Sequence, residues 1–167
     1  MSSINDDIKK IVSESSNLIL TCNSISDKIE LAVNEIVECL TKKNKIVIFG
    51  NGGSAADAQH IAAEFIGRFQ KERESLPAIS LTTDTSIITS LANDYSFDVV
   101  FSRQCESLVS KGDVVLGIST SGNSKNVENG IISSKKKGAI TISLLGGDGG
   151  TIKKISDISI IVPSKNT

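Results

Sequence analysis

At about 150 residues per domain, a chain of 167 residues is expected to fold as one compact domain. Apolar residues make up 39% and charged residues 22%, enough to build a core and too apolar for a disordered tail. With 18 basic and 19 acidic side chains the formal net charge is −1, which argues against a nucleic-acid protein that works by bulk attraction.

The first residues, MSSINDDIKK, lack the apolar stretch of a secretory signal, and no apolar run approaches the roughly 18 residues that span a bilayer. Two amphipathic helices open the chain. Ile4, Ile8, Ile11, Ser15, Leu18 and Cys22 recur at spacings of three and four, until Asn23 and Ser24 interrupt them. Ser24, with Asp27 three residues on, is the expected N-cap of a second helix whose stripe runs Ile25, Ile29, Ala32, Val33, Ile36 and Leu40. Two such stripes suggest a helical hairpin that packs on the domain or on another subunit. Three cysteines, Cys22, Cys39 and Cys105, are far apart and odd in number. Two of them lie on helical apolar stripes and read as small buried hydrophobes in a reducing cytosol.

From Lys45 the pattern changes to short, unbroken, β-branched runs separated by helices. Strands are expected over residues 45–50, 78–81, 113–119, 139–144 and 157–162. Continuous apolar runs mean strands buried on both faces, hence a five-stranded parallel sheet with helices on each side. Helices are expected over 54–69, 85–93, 97–110 and 123–137, with a weak turn at 151–154. The fold class is α/β, a three-layer doubly wound domain with an N-terminal helical extension. Lysine clusters (Lys42, Lys43 and Lys45; Lys135, Lys136 and Lys137; Lys153 and Lys154) fall mostly near helix ends, where they complement the negative dipole. The last strand ends at Pro163 and the sequence stops at Thr167, so no following helix is expected to cover that strand.

In a parallel sheet, ligands bind beyond the carboxyl ends of the strands. Two exits here are built from small and hydroxyl residues. The first is Gly50-Asn51-Gly52-Gly53-Ser54, where glycines let backbone approach a ligand and the helix start offers amides to an anion. Ser54 with Asp57 is also expected to cap that helix. The second exit is Ser119-Thr120-Ser121-Gly122-Asn123-Ser124, with four hydroxyls in six residues at a helix N-terminus, a cradle for phosphate oxygens. Neither loop contains GxxxxGK[ST] or a lysine for a β/γ-phosphate, so a monophosphate fits better than a triphosphate. Gly50-x-Gly52-x-x-Ala55 with Asp84 also meets the loose dinucleotide fingerprint, a rival that leaves the hydroxyl loop without a task.

The helix after the first loop turns Ala58, Ile61, Ala62, Phe65 and Phe69 to the core, and carries Asp57, His60, Glu64 and Arg68 at the flank. His60 and Glu64 at i, i+4 could bind one metal ion or share proton transfer. A surface pair worth about 0.3–0.5 kcal/mol is the plainer alternative. Asn93-Asp94-Tyr95 could offer an amide and a carboxylate to sugar hydroxyls, though such a sequence is more often a helix-terminal turn. Gly146-Gly147-Asp148-Gly149-Gly150 reads as a flexible loop with no assigned role.

Taken together, GNGGSAADAQHIAAE over residues 50–64, LTTDT over 81–85, NDY over 93–95, FSRQ over 101–104 and GISTSGNS over 117–124 resemble the phosphoheptose isomerases, sedoheptulose 7-phosphate isomerases of the sugar isomerase (SIS) domain superfamily. The resemblance implies an N-terminal helical extension over residues 1–43 at an oligomer interface, and a sugar-phosphate-binding SIS domain over 44–167. It implies a cytoplasmic homotetramer with interfacial active sites, without nucleic-acid or membrane partners, supplying the first step of ADP-heptose synthesis for lipopolysaccharide core. By motif position it implies that Asn51, Gly52, Gly53, Asn93 and Asp94 contact the sugar, and that Ser119, Thr120, Ser121 and Ser124 bind the phosphate. Glu64 would be the base that moves a proton between C1 and C2 through an enediol, and His60 and Glu64 two ligands of a zinc ion.

Members of that family continue past the Ser-x-x-Thr matched by Ser164 and Thr167 into a helix that supplies a Gln and a second His. The resemblance thus implies either a truncated or partly ordered form of a longer protein, which the uncovered last strand favours, or a molecule that is not catalytic. The alternative function is accordingly a non-catalytic SIS-domain binding protein, similar to the factors that associate with a DNA-replication initiator. A dinucleotide-dependent oxidoreductase comes third.

Overall fold

A computed structural model describes residues 3–164 and Asn166. Five strands, β1 (Ile46–Gly50), β2 (Ala78–Ser80), β3 (Val114–Ser119), β4 (Ile140–Gly146) and β5 (Ile158–Val162), form one all-parallel sheet in the order β2-β1-β3-β4-β5. The order in which the chain adds strands reverses between β1 and β3, the topological switch at which doubly wound folds bind ligands. Pairing from Ile46↔Val114 to Gly50↔Ile118 brings these two strands to their exits side by side.

The strand interiors read as unbroken apolar runs because both faces are covered. On one face, Ile46, Ile48, Val114, Leu116 and Ile142 pack under α2 (Ser26–Thr41) and α3 (Gly53–Ile66), through Ala32, Cys39, Ala58 and Ala62. On the other, Val47, Phe49, Val115 and Leu145 meet α5 (Ser102–Leu108) and α6 (Lys125–Lys136), through Cys105, Val127 and Ile131. Phe49 stacks on Phe101 with ring centroids 4.9 Å apart. Gly130 of α6 makes room for it, since a Cβ there would lie 2.7 Å from the Phe49 ring.

The two N-terminal helices are present, and they pack unevenly. Helix α1 (Ile4–Thr21) is capped by Ser3 and Asp6 in a reciprocal box and buries no residue. Ile4, Ile8, Ile11, Val12, Ile19 and Leu20 all stand exposed along it. A single 3-10 turn, Cys22–Ile25, leads into α2. Ser24 is therefore not the N-cap: it sits inside that turn, its hydroxyl donating to the Thr21 carbonyl, and Ile25 holds the cap position without a side-chain bond. Helix α2 and the turn before it pack on β5, with Ile25 and Ile36 in the cluster that contains Ile158 and Ile160. The last strand thus has a cover on one face, supplied by the start of the sequence. Thr167 lies outside the described residues.

Other boundaries move for identifiable reasons. The helix expected over 97–110 divides into a 3-10 turn, Phe97–Val99, and α5, and the buried Gln104 amide of α5 donates to the Val100 and Leu81 carbonyls at 2.8 and 3.1 Å. Helix α3 stops at Ile66 rather than 69, where the Arg73 guanidinium donates to the carbonyls of Glu64, Phe65 and Gly67. At the opposite edge of the sheet from the strand exits, buried Asp113 accepts from the Lys45 ammonium at 2.6 Å and from the Ser110 amide at 2.8 Å. Asp157 accepts from Lys135 at 2.8 Å and from the Thr141 amide and hydroxyl at 2.9 and 2.7 Å. Lys45 therefore serves as an ion-pair partner beneath the sheet, and Lys135 pairs with Asp157 from the last turn of α6, at the helix end where a cation is expected.

Candidate functional site

Both small-residue loops emerge at the β1/β3 switch, as adjacent exits of adjacent strands. In the first, Gly50 permits close approach of two elements: a Cβ there would lie 2.7 Å from Ser54 and 2.8 Å from the Ile118 carbonyl. Gly52 takes the N-cap of α3 at φ +56°, and its carbonyl accepts the Ala55 and Ala56 amides. That conformation displaces the expected cap. Ser54 is buried within the first turn and makes no capping bond with Asp57. Around Gly52 and Gly53 there is open space where side chains would project, so this backbone is bare toward solvent. The Asn51 side chain turns the other way and exchanges amide hydrogen bonds with Asn126.

The hydroxyl loop separates into an inner and an outer pair. Ser119 is buried and its hydroxyl lies 3.0 Å from that of Ser124, the residue at the N-cap of α6. Thr120 and Ser121 are exposed and open onto a cavity of about 740 Å³ at the sheet edge, shared with Ile118, Leu144, Gly146 and Gly147. The Ser121 hydroxyl accepts from the Asn123 amide at 3.2 Å, which leaves its own hydrogen to donate. The nearby ammonium of Lys125 pairs with Glu128 at 3.2 Å. What the loop presents to an anion is thus hydroxyls and the positive end of α6, whose Val127 amide is already held by the Asn126 side chain, a donor set suited to one phosphate.

The glycine-rich segment 146–150, without a role in the sequence reading, braces this loop. Gly122 sits at φ +66° with its Cα pressed against the opposing strand-exit backbone: a Cβ would lie 2.3 Å from the Gly149 carbonyl. A Cβ on Gly146 would lie 2.5 Å from the Thr120 carbonyl oxygen. The Ile152 amide donates to the Gly122 carbonyl at 3.0 Å, and the Thr151 amide to the Asn123 side chain at 3.1 Å. An excess of glycine in the sequence signals close backbone packing, while the partner is set only by the β4 exit lying beside the β3 exit.

His60 and Glu64 do come together, with His60 Nε2 3.6 Å from Glu64 Oε1. They line a groove of about 610 Å³ with Ile61, Phe65, Phe69 and Arg73. Glu64 lies eleven residues beyond Gly53, about 16 Å along α3 at 1.5 Å per residue, and among the described residues no hydrogen bond joins its side chain or that of His60 to either loop. Among the described residues no group of three His, Cys, Asp or Glu surrounds a possible metal position. The described residues of one chain therefore offer zinc His60 and Glu64, two ligands of the three or four it takes.

Asn93 and Asp94 form the last turn of α4 (Thr85–Asp94), one residue beyond its expected end, and their mutual bond, Asn93 Nδ2 to Asp94 Oδ1 at 2.8 Å, is exposed. Asp84 accepts the Ile87 amide at 2.9 Å as the N-cap of α4. One oxygen of its carboxylate thus has an ordinary capping task, which accounts for the acidic residue of the dinucleotide fingerprint without a ribose. Gln59 and Thr82, within two of the quoted motifs, have a bracing role that spacing does not reveal. The Gln59 amide donates to the Thr82 hydroxyl at 3.1 Å and ties α3 to the β2 exit.

Comparison with known proteins agrees with this arrangement. The SIS domain family matches residues 12–146. A phosphoheptose isomerase of Pelobacter propionicus is 57% identical over 133 residues, which span 80% of this chain and 70% of the relative. The solved structure of a phosphoheptose isomerase from Neisseria gonorrhoeae superposes with a TM-score of 0.93 at 38% identity, over 99% of this chain and 89% of that one. That from Francisella tularensis gives 0.94 at 34% identity, over 99% and 88%.

Proposed function

The chain belongs to the SIS domain family and, within it, to the phosphoheptose isomerases, aldose–ketose isomerases acting on a sugar phosphate, and from this we propose that it interconverts sedoheptulose 7-phosphate and glycero-manno-heptose 7-phosphate through an enediol. In the direction from ketose to aldose, Glu64 as carboxylate takes a proton from C1, the electron pair left behind forms the C1–C2 double bond, and O2 takes a proton to give the enediol. C2 then gains the proton held by Glu64 as O1 loses its own, so that one proton passes in net from O1 to O2. Thr120 and Ser121, with Ser119 and Ser124 behind them, hold the phosphate, and the bare backbone of residues 51–53 approaches the sugar. Asn93 and Asp94 add sugar contacts by motif position. This reaction would supply the first step of ADP-heptose synthesis for lipopolysaccharide core, in the cytoplasm.

The observation that carries the reading is the pairing of a hydroxyl loop and a bare glycine loop at one topological switch. The separation of Glu64 from its own chain's loops supports active sites completed between copies, in a homotetramer whose contacts include the apolar face of α1 and residues 1–43 generally. The 44–167 segment then acts as the sugar-phosphate-binding domain. Zinc enters this reading as an ion held in part by His60 and Glu64, with its remaining ligands outside the described residues of one chain.

An isomerase assay on sedoheptulose 7-phosphate tests the proposal. Turnover is expected, and Glu64→Gln should lower kcat by about 10³-fold or more while binding of the sugar phosphate persists. Turnover retained in that variant would remove Glu64 as the base. No turnover in the unaltered protein would favour the non-catalytic binding module.

A further inference from the structure

The two loops of the site hang on different elements, and one side-chain pair joins them. Asn51, directly after β1, and Asn126, in the first turn of α6, exchange hydrogen bonds of 2.8 and 2.9 Å. Asn126 is 3% exposed, and its Oδ1 also accepts the Val127 amide at 2.9 Å. Among the described residues, this is the one side-chain hydrogen-bonded link between residues 50–54 and 119–128. Each amide donates to and accepts from the other, so the pair fixes both separation and orientation without burying a charge. Its burial matters: Asn126 is buried and Asn51 half-buried, so removing either amide leaves the other without the partner that the packing provides.

We propose that Asn126 is a positioning residue for the isomerase site: through Asn51 it sets the distance between the glycine loop and the hydroxyl loop. It thereby governs affinity for ligands long enough to touch both loops, and leaves the phosphate cradle itself intact. The proposal rests on the reading that both loops grip one sugar phosphate.

The test titrates the full chain separately with sedoheptulose 7-phosphate and with inorganic phosphate, which reaches only the hydroxyl loop. Asn126→Ala is expected to weaken the sugar phosphate about tenfold and inorganic phosphate less than about twofold. Asn126→Asp keeps the acceptor for Asn51 and Val127, sets a second acceptor against Asn51 Oδ1, and should show the same selective loss should the alanine variant fail to fold. Equal weakening of both ligands would mean a merely structural residue and overturn the proposal, as would no change in either. Ser121→Ala, measured alongside, separates the two layers of argument. If it weakens both ligands while the Asn126 variants weaken neither, the positioning role alone falls. If it changes neither ligand, the two-loop reading fails and takes the positioning role with it.

Discussion

Cys105 lies fully buried between α5 and the sheet, and burial pushes its thiol up to about 11, with the Ser134 contact offsetting only part of the rise. Burial raises the Cys39 thiol as well. Cys22, in the turn between the first two helices, is half-buried. Since the thiolate is the reactive form, Cys39 and Cys105 should resist a disulfide reagent at pH 8 in the folded protein. Three thiols should titrate after unfolding and at most one before. Two or three reacting in the native state would mean that the sheet opens far more readily than its packing implies. The same scale explains why glycine and asparagine carry the first loop. Gly50 has no room for a Cβ, Gly52 needs φ +56°, and Asn51 matches a partner amide.

Among the elements, the hydroxyl loop depends on its neighbour more than on itself. The exits of β3 and β4 press backbone on backbone at Gly122, Gly146 and Gly149, so their glycines act in trans across the sheet edge. Gly146→Ala would drive a Cβ against the Thr120 carbonyl and displace the loop that holds the phosphate. A rise in KM for the sugar phosphate of about tenfold is expected, with a stability loss of about 1–3 kcal/mol by thermal unfolding. An unchanged KM would detach residues 146–150 from the site. The glycine run was visible in the sequence, but its target was not, because contact between two loops follows from strand order. The helix interruptions near residues 67 and 100 were hidden for a related reason. Arg73 and Gln104 act on carbonyls presented by the turns around them, and spacing of apolar residues carries no trace of that.

For the whole molecule, α1 poses the main question. An amphipathic helix that buries nothing in its own chain exposes an apolar face of the kind that marks an interface. Light scattering should give the mass of four chains of 17.7 kDa. The double substitution Ile8→Lys and Ile11→Lys should shift that mass to smaller species, and isomerase activity should fall with it if the sites are completed between copies. A variant that stays assembled and fully active would move the interface elsewhere. Cover of β5 by α2 belongs to this scale too, since the first and last parts of the sequence meet there.

Sequence by itself determined the parallel sheet, the five strands and the two loop chemistries. Unbroken β-branched runs, helical stripes, glycine and hydroxyl content are local properties, and they survive whatever the chain does elsewhere. Tertiary structure decided which exits became neighbours, that Asn51 meets Asn126, and that the glycines of 146–150 brace Gly122. These relations join residues tens of positions apart. Strand order and helix packing create them, and no single segment contains them.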